Sequence, residues 1–166
     1  MTDSTDTGAR KAGSLERVTA YLAGHGLADR VIHFDDRSTK TSQLAADAVG
    51  CELGQIVKSL VFVADGTPVL ALVAGDRRGD AGAIAHEVGA TSASFADADT
   101  VRSATGFAIG GVSPFDLPAA LIVLVDDSLV RFDEVYTAGG TPSSMVRMDR
   151  ERLLAIAGGR VARISR

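Results

Sequence analysis

The segment Gln55–Ala74, QIVKSLVFVADGTPVLALVA, determines how this chain folds. Two apolar, β-branched runs, Ile56 to Ala64 and Val69 to Ala74, flank Asp65-Gly66, and this arrangement predicts a β-hairpin with a short turn. Both runs are almost continuously apolar, which is typical of strands in a sheet that is covered on both faces. We therefore expect the sheet that contains this hairpin to be buried on both sides.

Helices are predicted on both sides of the hairpin, because a polar N-cap residue is followed each time by an apolar stretch and a closing glycine. The predicted caps are Ser14, Thr41, Asp97 or Asp99, and Asp149, and a further helix is predicted over Asp80 to Val88. Further strands are predicted at Val31 to Phe34, Leu121 to Val125, Val135 to Thr137, Met145 to Met148 and Val161 to Ile164. Helices and strands mix without a strict strand–helix–strand alternation, so the pattern predicts an α/β chain of the mixed α+β kind.

The length of 166 residues suits one domain. Residues 1–13 are rich in Thr, Asp, Ser and Gly and are expected to form a flexible N-terminal tail, with the domain over 14–166. With 46% apolar and 23% charged residues, wholesale disorder is excluded. No apolar run reaches the length of a membrane helix, and the single cysteine, Cys51, excludes an internal disulfide. These features predict a soluble, cytoplasmic protein.

The sequence lacks the common catalytic and cofactor motifs. It has no GxGxxG, no P-loop and no CxxC, and its three histidines are scattered, so neither a metal nor an organic cofactor is predicted. Gly111-Val112-Ser113-Pro114-Phe115 is a near match to the nucleophile elbow GxSxG. The second glycine is missing, and Pro114 has no N–H to serve as an oxyanion donor, so Ser113 is a poor candidate nucleophile.

Two features remain as candidates for chemistry. Lys58 enters a strand that should be buried, so its cation must reach the rim, pair with an anion or line a cavity. A lysine in a cavity is a compact point charge that stabilises a developing oxyanion without a metal. The second feature is the loop Gly110 to Pro114, in which glycines allow close approach of a ligand and proline stiffens the chain, although a simple tight turn would have the same sequence.

Four blocks of sequence, in order, resemble the YbaK family of aminoacyl-tRNA deacylases, which is related to the editing domain inserted in bacterial prolyl-tRNA synthetases. They are QIVKSLVF (Gln55–Phe62), VLALVAGDRRGD (Val69–Asp80), ATGFAIGGVSP (Ala104–Pro114) and YTAGGTPSSM (Tyr136–Met145). The resemblance runs from about His33 to the C-terminus. It implies a mixed, mostly antiparallel sheet partly closed into a barrel with flanking helices, and a hydrolase that uses no cofactor to remove a small, wrongly attached amino acid from tRNA.

The resemblance also implies roles for individual residues. The essential lysine of the family corresponds to Lys58, and its GxxxP loop corresponds to Gly110 through Pro114. Lys58, Gly110 and Gly111 are then the catalytic groups, which stabilise the oxyanion of the ester. The expected substrate-binding residues are His33, Thr39, Thr41, Ser113, Pro114, Gly139 and Gly140.

The chain departs from its relatives at two places. Phe115-Asp116-Leu117-Pro118 follows the GxxxP loop where many relatives have a Gly-His pair, and an aspartate that lies near Met145 in the YbaK branch is missing. Both places fall at the expected side-chain pocket, so the sequence leaves open which amino acid is removed.

Charge is unevenly distributed along the chain. The net charge is −4, but residues 147–166 contain six arginines against Asp149 and Glu151. This segment is either a solvated helix with an arginine-rich tail or a local basic face. On the second interpretation Arg147, Arg150 and Arg152 contact tRNA, since the chain is otherwise acidic.

Two alternative functions stay open at this point. The same pocket could bind the end of an aminoacyl-tRNA, or a tRNA synthetase, without cleaving anything, since no acid–base residue is evident. A nucleotide-binding enzyme that uses the glycine loop is a weaker alternative, because the phosphate-binding motifs are missing.

Overall fold

The computed structural model describes residues 2–166, with side chains described from residue 13 onward. Five α-helices and eight β-strands occur in this part of the chain, with three short 3₁₀ turns between them. The helices are α1 (Thr2–Gly24), α2 (Ser42–Val49), α3 (Ala81–Glu87), α4 (Ala98–Thr105) and α5 (Arg150–Ala157). The strands are β1 (Val31–His33), β2 (Val57–Ala64), β3 (Thr67–Ala74), β4 (Ala93–Phe95), β5 (Ile122–Asp126), β6 (Glu134–Ala138), β7 (Ser144–Asp149) and β8 (Arg160–Ala162).

The predicted hairpin is confirmed and forms the middle of a five-stranded sheet with the order β4-β2-β3-β5-β8. Strands β2 and β3 pair antiparallel over their whole length, with Lys58 opposite Val73, and β5 joins β3 in parallel. At the turn Asp65 and Gly66 both have positive φ, 48° and 83°, which is why a short Asp-Gly turn fits here.

Both faces of this sheet are buried, as the continuous apolar runs predicted. Along β3, Leu70 and Leu72 face the main core, whereas Val69, Ala71 and Val73 face a second apolar cluster beneath α3. The main core lies between this sheet and a second one with the order β1-β7-β6, whose Val146 and Met148 point into it. Helix α2 covers the other face of the small sheet.

The prediction of a partly closed barrel is wrong. Among the described residues neither sheet closes on itself, and the two sheets meet at a single parallel bridge between Ile56 and Tyr136. Closure requires the two edge strands of one sheet to pair. Here the edges β4 and β8 are three residues long and lie at opposite ends of the sheet, so the strands form two packed layers.

The predicted N-caps Thr41 and Asp97 are confirmed, whereas Ser14 lies within α1 and Asp149 precedes α5 without a side-chain cap hydrogen bond. Asp80, predicted as the first residue of its helix, is the N-cap of α3. The side chains of Thr41, Asp80 and Asp97 accept hydrogen bonds from the first turns of α2, α3 and α4. Gly50, Gly106 and Gly158 close α2, α4 and α5 in the left-handed conformation.

The N-terminal helix is longer than the sequence pattern predicts, because α1 spans Thr2–Gly24. The expected flexible tail covers residues 1–13, and the side chains of residues 1–12 lie outside the described residues. The mobility of this tail therefore stays a prediction. No helix in the described part of the chain combines the length and apolar character needed to cross a membrane.

Candidate active site

A cleft of about 280 Å³ opens where β2 enters the five-stranded sheet. Its walls come from four separate segments of the chain, so that the site exists only in the folded protein. The lining residues are Thr39, Lys40, Thr41, Ser42, Ala45, Ile56, Val57, Lys58, Ser59, Leu60, Gly110, Val112, Ala138 and Met145. Lys58 and Gly110, which the sequence singled out separately, therefore share one cavity.

Lys58 lies on the face of β2 that it shares with Leu60 and Phe62, towards α3. Its ammonium group Nζ donates a hydrogen bond to the main-chain carbonyl of Arg77, in the loop after β3. An ammonium has three donors, so one contact with a carbonyl leaves two for a ligand. The backbone of the loop after β3 thus holds the ammonium group of a residue that lines the cleft.

The surroundings of Lys58 lower its pKa. Burial is the larger cause, since it penalises the charged form, and the positive charge of Arg78 acts in the same direction. The carboxylate of Asp76 opposes both. Arg131 donates two hydrogen bonds of 2.7 and 2.9 Å to this carboxylate, which fixes the position of the negative charge that acts on Lys58.

The glycine loop approaches the cleft through its backbone. Gly110 has a φ of 82°, in the left-handed region that favours glycine, and nothing lies within 4 Å of a Cβ placed there. The N–H of Gly111 donates to the carbonyl of Ala108 at 3.0 Å, so this amide is already used within the loop. No main-chain oxygen of the described residues accepts a hydrogen bond from the N–H of Gly110.

A second hollow of about 280 Å³ adjoins the cleft and shares Lys40 and Gly110 with it. Gly111, Gly140, Ile109 and Pro142 form much of its surface, and the side chain of Ile109 is 59% exposed. An exposed isoleucine beside bare glycine backbone offers a flat, apolar surface next to the polar cleft.

The two predicted threonines reach the cleft at the beginning of α2. Thr41 Oγ1 accepts a hydrogen bond of 3.1 Å from Leu44 N–H, which makes it the N-cap of the helix. Thr39 Oγ1 donates to the carbonyl of Pro142 at 3.0 Å, which ties this segment to the turn after β6. Both threonines line the cleft, and their hydroxyl groups also hold the main chain that forms its wall.

Four of the predicted substrate-binding residues do not line the cleft or the adjoining hollow. His33 is exposed on β1 and lines neither cavity. Ser113 is fully buried, and Pro114 borders a different hollow beside Tyr21. Gly139 is buried against Ser144, where a Cβ would lie 2.5 Å from Oγ, so this position supports the turn.

The three predicted tRNA-contacting arginines lie outside the cleft and make contacts within the chain. Arg147 lies 3.9 Å from Glu134, Arg150 donates to the carbonyl of Val130, and Arg152 donates to the carbonyl of His25. Arg77 and Arg78, in contrast, are exposed beside Lys58 and form no salt bridge with any described side chain.

Sequence reasoning missed several residues that line or border the cleft. In the sequence, Lys40 was identified only as a lysine in a polar loop, and Arg77 and Arg78 were noted only as part of the block GDRRGD. Ser59, next to Lys58, has a buried Oγ with no hydrogen-bond partner in the structure. Two signals were available in the sequence: Ser59 is adjacent to Lys58, and a pair of arginines follows β3. Strand alternation alone, however, places Ser59 on the face of β2 opposite to Lys58.

Comparison with known proteins shows the family to which the chain belongs. The sequence profile of the family described as the aminoacyl-tRNA editing domain matches residues 36–156. The multifunctional Ser/Thr-tRNA deacylase ProXp-y of Escherichia coli is 30% identical over 137 residues, which cover 79% of this chain and 81% of that protein. A proline–tRNA ligase of Citrifermentans bemidjiense is 34% identical over 97 residues, covering 58% of this chain but 17% of the ligase.

A solved structure agrees over a larger part of the chain. A crystal structure described as a candidate trans-editing enzyme for prolyl-tRNA synthetase has a TM-score of 0.83 and 41% identity, covering 92% of this chain and 97% of that one. The residues matched by the family profile, 36–156, include β2 with Lys58 and the Gly110–Pro114 loop. The chain therefore belongs to the aminoacyl-tRNA editing domain family, which includes the YbaK-like deacylases.

Proposed function

We propose that this chain is a trans-editing aminoacyl-tRNA deacylase, which hydrolyses the ester between a small amino acid and the terminal ribose of a mischarged tRNA. One observation carries the proposal: Lys58 and Gly110, a cation and a residue without a side chain, line the same cleft of about 280 Å³. Family membership supports it, since a deacylase and a candidate trans-editing enzyme are among the relatives.

The chemistry follows from these two groups. A water molecule attacks the ester carbonyl carbon, and the carbonyl oxygen becomes an oxyanion that accepts hydrogen bonds from Lys58 Nζ and the N–H of Gly110. The bond to the ribose oxygen then breaks, the ribose oxygen takes up the proton that the attacking water loses, and a free amino acid and deacylated tRNA leave. The neighbouring ribose hydroxyl of the substrate helps to orient the water.

Gly111 has a different role in this proposal. Its N–H is already bound to the carbonyl of Ala108, so its contribution is the lack of a side chain, which lets the ribose approach the loop. The terminal adenine would lie in the adjoining hollow, against Ile109 and Pro142, with Gly140 beneath it. Ser113 and Pro114 support the loop from its buried side.

The size of the cleft favours a small side chain. Ala45, Ile56 and Met145 form an apolar wall, and Thr41 and Ser42 add hydroxyl groups at the opening. Such a pocket separates two amino acids that differ by one methylene by only about 1–3 kcal/mol. We place serine and threonine first among the candidate amino acids because of the activity named for the Escherichia coli relative.

For the RNA we keep Arg147, Arg150 and Arg152 as proposed contacts and add a nearer set. Lys40, Arg77 and Arg78 are exposed cations that border the cleft or flank Lys58. Phosphates of the single-stranded acceptor end would pass this set first.

The test is a panel of tRNAs mischarged with serine, threonine, alanine or cysteine. Wild-type protein should hydrolyse at least one of them, and Lys58→Met, which keeps the length of the side chain without its charge, should reduce the rate about 100-fold or more. A thermal melt checks that the variant is folded. Equal rates for the two proteins would contradict the mechanism.

A binding module is the second candidate, and one observation favours it. Among the described side chains that line the cleft, none is Asp, Glu or His, so no conventional general base is present. On this alternative the protein holds an aminoacyl-tRNA end or a synthetase without turnover. Tight binding of every charged tRNA in the panel, with no hydrolysis of any, would favour it.

A further inference from the structure

Arg17 on α1 contacts both ends of the loop that carries Gly110. Its Nη2 donates to the carbonyl of Thr105 at 3.3 Å, where α4 ends. Its Nε donates to Asp116 Oδ2 at 2.8 Å, and its Nη2 also donates to the main-chain carbonyl of Asp116. One guanidinium thus joins the two points between which residues 106–115 run.

The loop is shaped to receive this guanidinium. The group stacks over the buried ring of Phe107, with Cζ 4.3 Å from the ring centroid. A Cβ on Gly106 would lie 2.5 Å from Arg17 Nη1, so a side chain at this position would displace the guanidinium. At the other end Asp116 has a φ of 56°, which is uncommon for a residue other than glycine or asparagine.

The contacts matter because the exposed half of the loop has few bonds of its own. Val112 and Phe115 are buried and anchor the second half in the core. In the first half, the one main-chain hydrogen bond within the loop joins Gly111 N–H to Ala108 O among the described residues. The position of Gly110 against the cleft therefore depends on how firmly the ends of the loop are held.

We propose that Arg17 is a positioning residue, which holds the loop between Thr105 and Asp116 so that the Gly110 amide faces the Lys58 ammonium. The proposal rests on the deacylase function proposed above. Arg17 lies before the segment matched by the family profile, 36–156, so the contact is a contribution of the N-terminal helix to the site.

The test compares Arg17→Ala, Arg17→Lys and Asp116→Asn with wild type. Asparagine tolerates the left-handed backbone of position 116, so Asp116→Asn removes the charge while keeping the turn. Arg160→Ala is the matched control, because Arg160 also binds a main-chain carbonyl and a carboxylate, both of Glu87, away from the cleft. Every variant is assayed well below its melting temperature.

The expected result is a loss in kcat of about 10- to 100-fold for Arg17→Ala, with a much smaller change in KM, because misplacement by about 1 Å has effects of this size. Arg17→Lys should recover only part of the rate, since an ammonium does not span both ends of the loop. Added guanidinium ion at non-denaturing concentration should raise the rate of Arg17→Ala but not that of Arg160→Ala.

Hydrogen exchange separates this proposal from the proposed function. The amides of residues 108–112 should exchange faster in Arg17→Ala than in wild type. In Arg160→Ala their exchange rates should be the same as in wild type. Unchanged exchange and an unchanged kcat would overturn the positioning role, and so would Arg17→Ala and Arg160→Ala losing equal activity. If wild type hydrolyses no mischarged tRNA, the proposed function fails, and the exchange rates still test whether Arg17 holds the loop.

Discussion

Lys58 shows how a cation is accommodated in a strand that the sequence predicts to be buried. The side chain reaches a cavity, and its ammonium group is bound by the carbonyl of Arg77. Lining a cavity was among the possibilities that the sequence left open, but the carbonyl partner was not predictable, because it comes from the loop after the neighbouring strand. The cost of burial appears as a lowered pKa.

This lowered pKa predicts a pH dependence. Only the protonated ammonium stabilises an oxyanion, so kcat should fall as the pH rises through the Lys58 pKa, which lies below the ordinary value for lysine. Arg78→Gln removes a nearby positive charge and should move this fall to higher pH. The measurement is kcat against pH at saturating mischarged tRNA, with the uncatalysed hydrolysis of the ester subtracted.

The sign of the shift tests the role of the lysine. A rate that rises with pH across the same range would identify Lys58 as a general base rather than an electrostatic group. A fall that moves to lower pH in Arg78→Gln would contradict the charge interaction between the two side chains.

At the scale of elements, the glycine loop predicts different outcomes for its two neighbouring glycines. Gly110 has a left-handed backbone, so Gly110→Ala should introduce strain of about 1–2 kcal/mol, lower the melting temperature and reduce kcat. Gly111 does not, and a Cβ there would lie 3.7 Å from the nearest carbonyl oxygen, so Gly111→Ala should leave the melting temperature unchanged. Its effect should be on KM, because the methyl group occupies the proposed position of the ribose.

The pair is measured by thermal melting and steady-state deacylation. If Gly111→Ala changed neither KM nor kcat, the ribose would not lie against this glycine. If Gly110→Ala were as stable and active as wild type, the left-handed backbone would have no part in the site.

Local elements were predictable from the sequence, and their arrangement was not. The Asp65-Gly66 turn and the caps at Thr41 and Asp97 depend on a few adjacent residues, and all are present. The barrel expectation failed because closure depends on pairing between distant strands. In the part of the chain that the structure describes, the two sheets are bridged at Ile56 alone, and no local pattern encodes that.

At the scale of the whole molecule, the site also combines residues that were predictable from local sequence with residues that were not. Lys58 and Gly110 could be selected from the sequence because a buried lysine and a glycine pair are locally unusual. Lys40 and Met145 enter the cleft only because α2 and β7 fold against the beginning of β2, so their place depends on tertiary structure. His33 was expected to bind substrate because of the family resemblance, but it is exposed on β1, a short edge strand.

The C-terminal segment is held to the body of the protein by the buried carboxylate of Asp126. It accepts hydrogen bonds from Ile164 N–H at 2.9 Å, Ser165 Oγ at 2.7 Å and Ser128 N–H at 3.1 Å. Burial raises the pKa of Asp126, but the hydrogen bonds from Ser128, Ser165 and Ile164 outweigh it, so the net pKa is lowered. The ionised form is therefore the one that the fold stabilises.

Asp126→Asn should lower the free energy of unfolding by about 1–3 kcal/mol at neutral pH, because an amide nitrogen replaces an acceptor of buried donors. A lowered folded-state pKa contributes stability that is complete above the unfolded-state value of about 3.9 and is lost as the pH falls through the folded-state value. The difference between wild type and variant in urea unfolding should therefore shrink below about pH 4. A difference that is constant down to acid pH would contradict the assignment.

The most direct measurement is a crystal structure of the protein with a non-hydrolysable analogue, in which an amide joins the amino acid to the terminal adenosine. The account predicts that the acyl oxygen lies within hydrogen-bond distance, about 3.2 Å, of both Lys58 Nζ and the Gly110 N–H, with the adenine beside Ile109. An acyl oxygen bound elsewhere, with the lysine and the glycine loop both free of the ligand, would contradict it.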